Sequence, residues 1–299
     1  VAQAGNLVIQ VGSTMILARI LLPADFGLVA MVTAVIGFAA IVVGLGTRDA
    51  LAQRGSVNED EVSALFWITL GVGLVLTAIA AISAPLIARF YDEPRLALIV
   101  MTLSVTFALP ALYFQQQALM RRALLFRTLA LVDLGSNLVA TLVAIVLAYR
   151  GYGYWALVWK LVLTGVFTGV AVWISCGWRP KRPAFTAGVR ELLGFGLNIT
   201  GFAISDYVSR SVDRVALGYT AGPRVVGFYQ NAFLAYDNAL VVCSDSLHNV
   251  ATVTLSKLRG DVPALKRAWS TALSSLVYFV APAFATLAVT GQDLIVLLL

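Results

Sequence analysis

Residues 26–47, FGLVAMVTAVIGFAAIVVGLGT, run for 22 positions without a charged side chain. At about 1.5 Å of rise per residue, a helix of that length reaches about 33 Å, enough to cross a ~30 Å hydrocarbon layer. The stretch therefore reads as a membrane-spanning helix, and the rest of the chain has the same character. Apolar segments of similar length recur near 1–22, 63–88, 96–118, 128–149, 152–176, 192–220, 225–252 and 268–290, which makes nine expected helices. Of the 299 residues, 60% are hydrophobic and 12% charged, and the mean hydropathy is +0.89. A soluble domain carries about 25% charged residues, so too few polar side chains remain to coat a surface facing water. This composition excludes an ordinary soluble enzyme, a disordered chain and a disulfide-built secreted scaffold. The fold class expected is an all-α polytopic membrane protein.

The basic residues orient it. With the N-terminus placed inside, the inner connections carry thirteen, in groups at 48–54, 121–127, 179–190 and 257–267. The outer ends carry five: Arg19, Arg89, Arg95, Arg150 and Arg224. Cytoplasmic loops are enriched in Lys and Arg, so the N-terminus is expected to be cytoplasmic. On the same argument the net charge of +6 reflects topology, and no nucleic-acid partner is expected. The longest inner link, WRPKRPAFTAGVREL at 178–192, holds two prolines and reads as the joint between two helical bundles. The division expected is a six-helix lobe at 1–178 and the start of a second lobe at 179–299. The chain begins at Val1 inside an apolar run and stops at Leu299 inside another, LIVLLL, so a longer protein with a complete second lobe is expected.

An internal repeat supports that division. Leu17, Pro23, Gly27, Ala39, Val42, Val62, Ala64 and Leu65 recur as Leu217, Pro223, Gly227, Ala239, Val242, Val262, Ala264 and Leu265 at one offset, 200 residues, without a gap. The offset spans six expected helices. An even number keeps both copies in one orientation, so the repeats are parallel, an arrangement found in transporters.

Polar residues inside membrane helices are costly, about 2.5–3.5 kcal/mol for a central Arg, Lys or Asp. They are expected to face a cavity or one another. On the seventh expected helix, Asp206, Arg210, Asp213 and Arg214 fall at about 0°, 40°, −20° and 80° at 100° per residue, one charged stripe. Asp206–Arg210 and Arg210–Asp213 have the spacing of helix ion pairs. The eighth presents Gln230, Asp237, Asn238, Ser244, Asp245, His248 and Asn249 on one side. The first presents an uncharged version, Gln3, Asn6, Gln10, Ser13 and Thr14, in which Asn6 and Gln10 align with Asp206 and Arg210 at the repeat offset. The fifth adds Asp133, Ser136, Asn137 and Thr141, and the sixth adds Lys160. The economical arrangement turns these stripes toward one hydrated cleft. The competing view is that they serve as hydrogen-bonding glue between helices.

Other chemistry has no motif to rest on. There is no G-x-x-x-x-G-K-[ST] and no H-E-x-x-H, and Cys176 and Cys243 fall in apolar segments. No nucleotide site, metal site, disulfide or cofactor is expected. Gly37 and Gly44 read as close-packing positions on the second helix.

The run LARILLPADFGLVAMVTAVIGFAAIVVGLGTRDALAQR (17–54) resembles the first two helices of bacterial polysaccharide-export flippases. These are Wzx-type members of the multidrug/oligosaccharidyl-lipid/polysaccharide (MOP) superfamily. GFGLNITGFAISDYVSRSVDRVALGYTAGPRVVGFYQNAF (194–233) resembles the start of their second lobe. ALFWITLGVGL, APLIARFYDEPRL, QQALMRRALLFRTLALVD and GYGYWALVWKL resemble the family in the same order. The resemblance implies two six-helix lobes around a V-shaped cavity. It implies transfer of undecaprenyl-diphosphate-linked oligosaccharide from the inner to the outer leaflet of the bacterial inner membrane, by alternating access. It implies a lipid-linked substrate and, as protein partners, a polysaccharide polymerase and a chain-length regulator.

On that view Arg210, Arg214 and Lys160 attract the diphosphate, and Asn6, Gln10, Asn137 and Asn238 meet sugar hydroxyls. Asp206, Asp213, Asp133, Asp237 and Asp245 balance the cations, and one of them, or His248, carries a coupling proton or sodium ion. A cation-coupled multidrug exporter of the same superfamily is the first alternative, although the near balance of acids and bases in the cleft leans against it. A membrane enzyme acting on lipid-linked sugars is the second, with short outer loops against it. A structural assembly subunit is the third.

Overall fold

The computed structural model describes residues 2–44, 58–182, 203–209 and 211–233, with isolated positions at 47, 51, 189, 193, 194, 200 and 201 and between 266 and 285. Among the described residues there are helices and turns but no strand. The helices are α1 (Ala2–Ile20), α2 (Pro23–Gly44), α3 (Glu59–Phe90), α4 (Arg95–Ala111), α5 (Phe114–Arg122), α6 (Phe126–Tyr149) and α7 (Trp155–Ser175). Residues 203–209 and 211–233 are also helical. Two compact units divide the chain, Val1–Phe228 and Tyr229–Leu299. In the second, the rings of Tyr229 and Phe233 stack with centroids 6.2 Å apart. The first contains all seven helices α1–α7.

Among the described residues, five helical stretches are long and apolar enough to cross a membrane: Pro23–Gly44, Glu59–Phe90, Arg95–Arg122, Phe126–Tyr149 and Trp155–Ser175. The apolar part of α1, Gly5–Ile20, precedes them. Five of the first six expected spans thus reach that length, the apolar part of α1 being shorter, and two starts are moved by local chemistry. α2 starts at Pro23, because proline suits a first helical turn that has no use for its missing N–H, and Asp25 Oδ2 accepts the Leu22 N–H at 3.1 Å. α3 starts at Glu59 rather than 63. Asn58 caps it, with Oδ1 accepting the Asp60 N–H and Glu61 Oε2 accepting the Asn58 N–H, both at 3.3 Å, a reciprocal capping box.

The expected continuous span 96–118 breaks into α4 and α5 at Leu112–Tyr113. Pro110 removes an N–H and crowds the preceding turn, and the chain tightens there through Leu112 N–H to Leu109 O and Tyr113 N–H to Pro110 O. The loop expected at 221–224 is also different. Helical structure runs through it, with Gly222 at φ +76°, a conformation open to glycine.

Packing follows membrane rules. α3 lies on α4, α6 on α7 and α1 on α6, while α4 also meets α2 and α7. Leu28, Met31, Val32 and Ile36 of α2, Ile99, Leu103 and Phe107 of α4, and Val158 and Val162 of α7 form the main core. Ala140, Ala144 and Ala148 make a small-residue stripe on α6, all buried. Small residues let helix backbones approach where lipid supplies no hydrophobic drive between helices. The outward face of α3 is the reverse: Leu74, Ile79, Ile82 and Leu86 are exposed, Ile82 by 76%. Such a face is stable against acyl chains and not against water.

The link after α7 is strapped to the bundle. Arg179 lies over the Trp173 ring, 4.9 Å from its centroid, and donates to the carbonyls of Trp173, Cys176 and Trp178. The Lys181 ammonium pairs with Glu59, its N–H donates to Ser63 Oγ, and its carbonyl accepts from Trp67 Nε1. The Glu59 carboxylate holds the Lys181 ammonium above its ordinary pKa.

Candidate functional site: a polar track through α1, α6 and α7

The polar faces of α1, α6 and α7 meet. Asn137 Nδ2 donates to Asn6 Oδ1 at 3.4 Å, joining α6 to α1. Lys160 Nζ donates to Ser13 Oγ at 2.8 Å, joining α7 to α1. Ser13 is 3% exposed, and its hydroxyl in turn donates to the Gln10 carbonyl at 2.9 Å. Thr14 donates to the same carbonyl, and Thr164 to the Lys160 carbonyl. Gly5 sits against Leu134 of α6, where a Cβ would come within 2.9 Å of Leu134 Cδ2. That close approach lets short side chains such as Asn6 and Asn137 reach one another.

Of the expected site residues, Asn6, Asn137 and Lys160 therefore join α1 to its neighbours through two separate hydrogen bonds on one polar face, with Gln10 between them on α1 and its side chain exposed. Asp133 lies one helical turn from Asn137 on α6 and is exposed. Asp206, Asp213 and Arg214 lie on the 203–228 segment, Asp206 exposed and the other two half-buried. Arg214 Nη2 donates to Ser211 Oγ at 3.1 Å, and the Arg214 N–H donates to Asp213 Oδ1 at 2.8 Å. Arg210, Asp237, Asn238, Asp245 and His248 lie outside the described residues, and with them the expected ion pairs of Arg210. Among the described residues no group of three or more His, Cys, Asp or Glu is placed to hold a metal.

Ser13 is the track residue to which the sequence reading gave no role of its own. A second polar cluster went unread. Gln115 and Gln116 of α5 are fully buried; Gln115 lies 3.5 Å from both Thr69 and Thr47, and neither amide atom of Gln116 has a partner. The signal was present in Gln115-Gln116-Gln117, a triplet of amides inside an apolar run. Gly37 packs closely, receiving the Tyr207 ring, whereas a Cβ on Gly44 would lie 3.6 Å from Phe114 Cε2, an ordinary contact that does not require glycine.

The surface also carries two apolar grooves. One, of about 470 Å³, runs along α3 past Trp67, Gly71 and Val75. The other, of about 450 Å³, lies between α6 and α7 at Leu131, Gly135, Val139 and Phe167. Both are open and greasy, suited to acyl chains rather than to a polar head, and the lining of neither includes Lys160.

Comparison with known proteins places the sequence in a family. The family profile described as "Polysaccharide biosynthesis protein" matches residues 16–299. Teichuronic acid biosynthesis protein TuaB of Bacillus subtilis (strain 168) is 27% identical over 200 residues, 66% of this chain and 41% of that protein. Lipopolysaccharide biosynthesis protein WzxC of Escherichia coli (strain K12) is 25% identical over 290 residues, 94% of this chain and 57% of that one. Succinoglycan biosynthesis transport protein ExoT of Rhizobium meliloti (strain 1021) is 24% identical over 243 residues, covering 81% and 49%. The chain thus spans about half the length of these curated relatives. No solved structure matches significantly. With a profile match over nearly its whole length, on a membrane bundle with an internal polar track, the chain belongs to the polysaccharide biosynthesis protein family.

Proposed function

We propose that the protein is a flippase that carries undecaprenyl-diphosphate-linked oligosaccharide across the bacterial inner membrane, for assembly of a surface polysaccharide. The observation that carries the reading is the polar track. A lysine is kept inside an apolar bundle, held by a serine rather than paired with an acid in the bond it makes, beside an interhelical pair of asparagines. Such a face suits an anionic, hydroxyl-rich head group. The Lys160 ammonium attracts phosphate oxygens through charge-assisted hydrogen bonds, with Arg210 and Arg214 acting alike from the second repeat. Asn6, Gln10, Asn137 and Asn238 exchange hydrogen bonds with sugar hydroxyls. Asp206, Asp213, Asp133, Asp237 and Asp245 offset the cations, and one of them, or His248, takes up a coupling proton or sodium ion. The lipid tail stays in the bilayer while the head crosses between lobes that start at 1 and 179 and open alternately, the N-terminus lying in the cytoplasm. The polymerase and chain-length regulator of the polysaccharide act on what emerges.

The test is to delete the gene in its host and locate lipid-linked oligosaccharide with an impermeant sugar label on spheroplasts. Complete repeat units held on the inner leaflet, with loss of surface polysaccharide, are expected. Truncated units would point to an enzyme of their assembly instead. Normal glycan flow with new sensitivity to cationic drugs would replace the reading with multidrug export.

A further inference from the structure

The two copies of the repeated P-x-x-x-G element meet each other. A Cβ placed on Gly27 would collide with the Pro223 carbonyl, and one placed on Gly227 would collide with the Pro23 carbonyl. Gly27 approaches the second copy's proline just as Gly227 approaches the first's, the reciprocity of a local two-fold axis. Both glycines are buried, and Val226 beside them is fully so. Each glycine presents a Cα–H to a carbonyl oxygen, a weak contact that recurs where helix backbones touch.

The same end of the bundle holds further contacts between the 203–228 segment and the first copy. Gly218 admits Tyr91 and Met31, with a Cβ there coming within 2.7 Å of Tyr91 Cε1 and 3.1 Å of Met31 Cγ. Phe90 and Tyr219 stack, centroids 5.0 Å apart at 28°. Deeper along α2, the Tyr207 hydroxyl donates to the Thr33 carbonyl at 2.7 Å. The turns at 21–22, 91–94 and 150–154 gather at this end, as Asp25 beside Gly153 shows. Ser13 lies eight residues before Leu21 on α1, so the track at Lys160 is about 12 Å deeper in the bundle by helix rise.

From this arrangement we infer that the reciprocal Gly27–Gly227 contact, capped by the Phe90–Tyr219 stack, is a closed gate between the two repeats. It parts when the head group leaves toward the turn end, which on the charge argument is the outer face. The inference rests on the flippase reading and adds to it the place where the path is shut. The Gly27–Gly227 contact is backbone against backbone, with no ion pair among the contacts named, and the side chains seated at Gly218 and Gly37 and the Tyr207 hydrogen bond part with it when one repeat rocks against the other.

The test uses the full-length protein in its native membrane with Cys176→Ser, Cys243→Ser, Phe90→Cys and Tyr219→Cys, joined by a short bis-methanethiosulfonate that dithiothreitol removes. Phe90 and Tyr219 are both exposed, so these changes leave the core intact. The expected result is that cross-linking stops export and reduction restores it. In the same background with Ser13→Cys, an impermeant maleimide should label that position, read on the peptide carrying residue 13 rather than on those carrying 90 and 219, from the outer face only after reduction. Cross-linking without loss of export, labelling from outside that ignores the cross-link, or failure of the pair to cross-link would each overturn the gate. Labelling that follows the cross-link in a protein whose deletion leaves glycan flow normal would uphold the gate and sink the substrate assignment, so the two failures are distinguishable.

Discussion

Lys160 carries the largest electrostatic cost of any described side chain in the track. A lysine at the centre of a span costs about 2.5–3.5 kcal/mol on insertion scales; Lys160 stands in the second turn of α7, half-buried, and its ammonium donates to Ser13. On the flippase reading, this cation is there to bind the diphosphate. Lys160→Met should therefore insert and fold at least as well as the parent, read by its melting temperature in detergent, while export falls to background. Normal export by that variant would remove Lys160 from the site. Ser13→Ala is milder, expected to cost about 1 kcal/mol, the scale of an interhelical hydrogen bond in a membrane.

Tyr91 makes a different residue-scale case. Its hydroxyl is buried with no partner, and burial pushes the phenol up from 10.0 to about 12. A raised folded-state pKa means that the contribution is whole below pH 10 and is lost as pH climbs from 10 to about 12, where only the unfolded chain ionises. Tyr91→Phe should flatten the stability curve across that window. At neutral pH it should stabilise the protein by about 1 kcal/mol, because an unsatisfied buried hydroxyl is removed. A melting temperature below that of the parent at pH 7 would show that the hydroxyl has a partner after all.

At the scale of the element, two glycines on α3 show that helix contacts rather than composition decide what a position tolerates. A Cβ on Gly73 would lie 2.9 Å from the Phe107 carbonyl and 3.3 Å from Ala108 Cα, whereas one on Gly71 would meet nothing within 4 Å. Thr77 fixes the same seam, donating to the Gly73 and Ser104 carbonyls at 2.8 and 3.0 Å. Gly73→Ala should destabilise the α3–α4 pair by about 1–3 kcal/mol as overpacking. Gly71→Ala should be neutral or stabilise by up to about 1 kcal/mol through helix propensity. Equal melting temperatures for the two variants would contradict the close α3–α4 approach. Span number and placement from 1 to 176 were legible because hydropathy reports the lipid-facing solvent directly. Edges were less so, since the capping box at Asn58 and the break after Pro110 are local hydrogen-bond events inside runs that hydropathy averages. The Asn6–Asn137 and Ser13–Lys160 contacts were legible only as polar faces. Helical phase gives the side on which a residue lies, while the identity of its neighbour depends on which helices touch.

For the whole molecule, the repeat was readable from spacing, but its meeting was not: an offset of 200 residues says that two elements match, not that they touch. Orientation is the global property that charge counting addresses most directly, and it can be measured with two side chains. Tyr152 is 53% exposed in the turn between α6 and α7, and Leu124 is 73% exposed in the turn between α5 and α6. The two turns flank α6, a single crossing, so they lie on opposite sides of the membrane. The cations beside them differ in number: Arg121, Arg122 and Arg127 surround Leu124, and Arg150 alone lies near Tyr152. Positive loops stay in the cytoplasm, so the expected place of the 151–154 turn is outside. In a Cys176→Ser, Cys243→Ser background, the Tyr152→Cys variant should react with an impermeant maleimide on intact spheroplasts. The Leu124→Cys variant should react only after permeabilisation. The opposite pattern would turn the bundle over and place the Gly27–Gly227 seam on the cytoplasmic side, where it would close the entrance rather than the exit. Labelling of both on intact spheroplasts would mean that α6 does not cross at all, and a 24-residue helix in which Arg127 and Asp133 are the charged side chains makes that outcome physically costly.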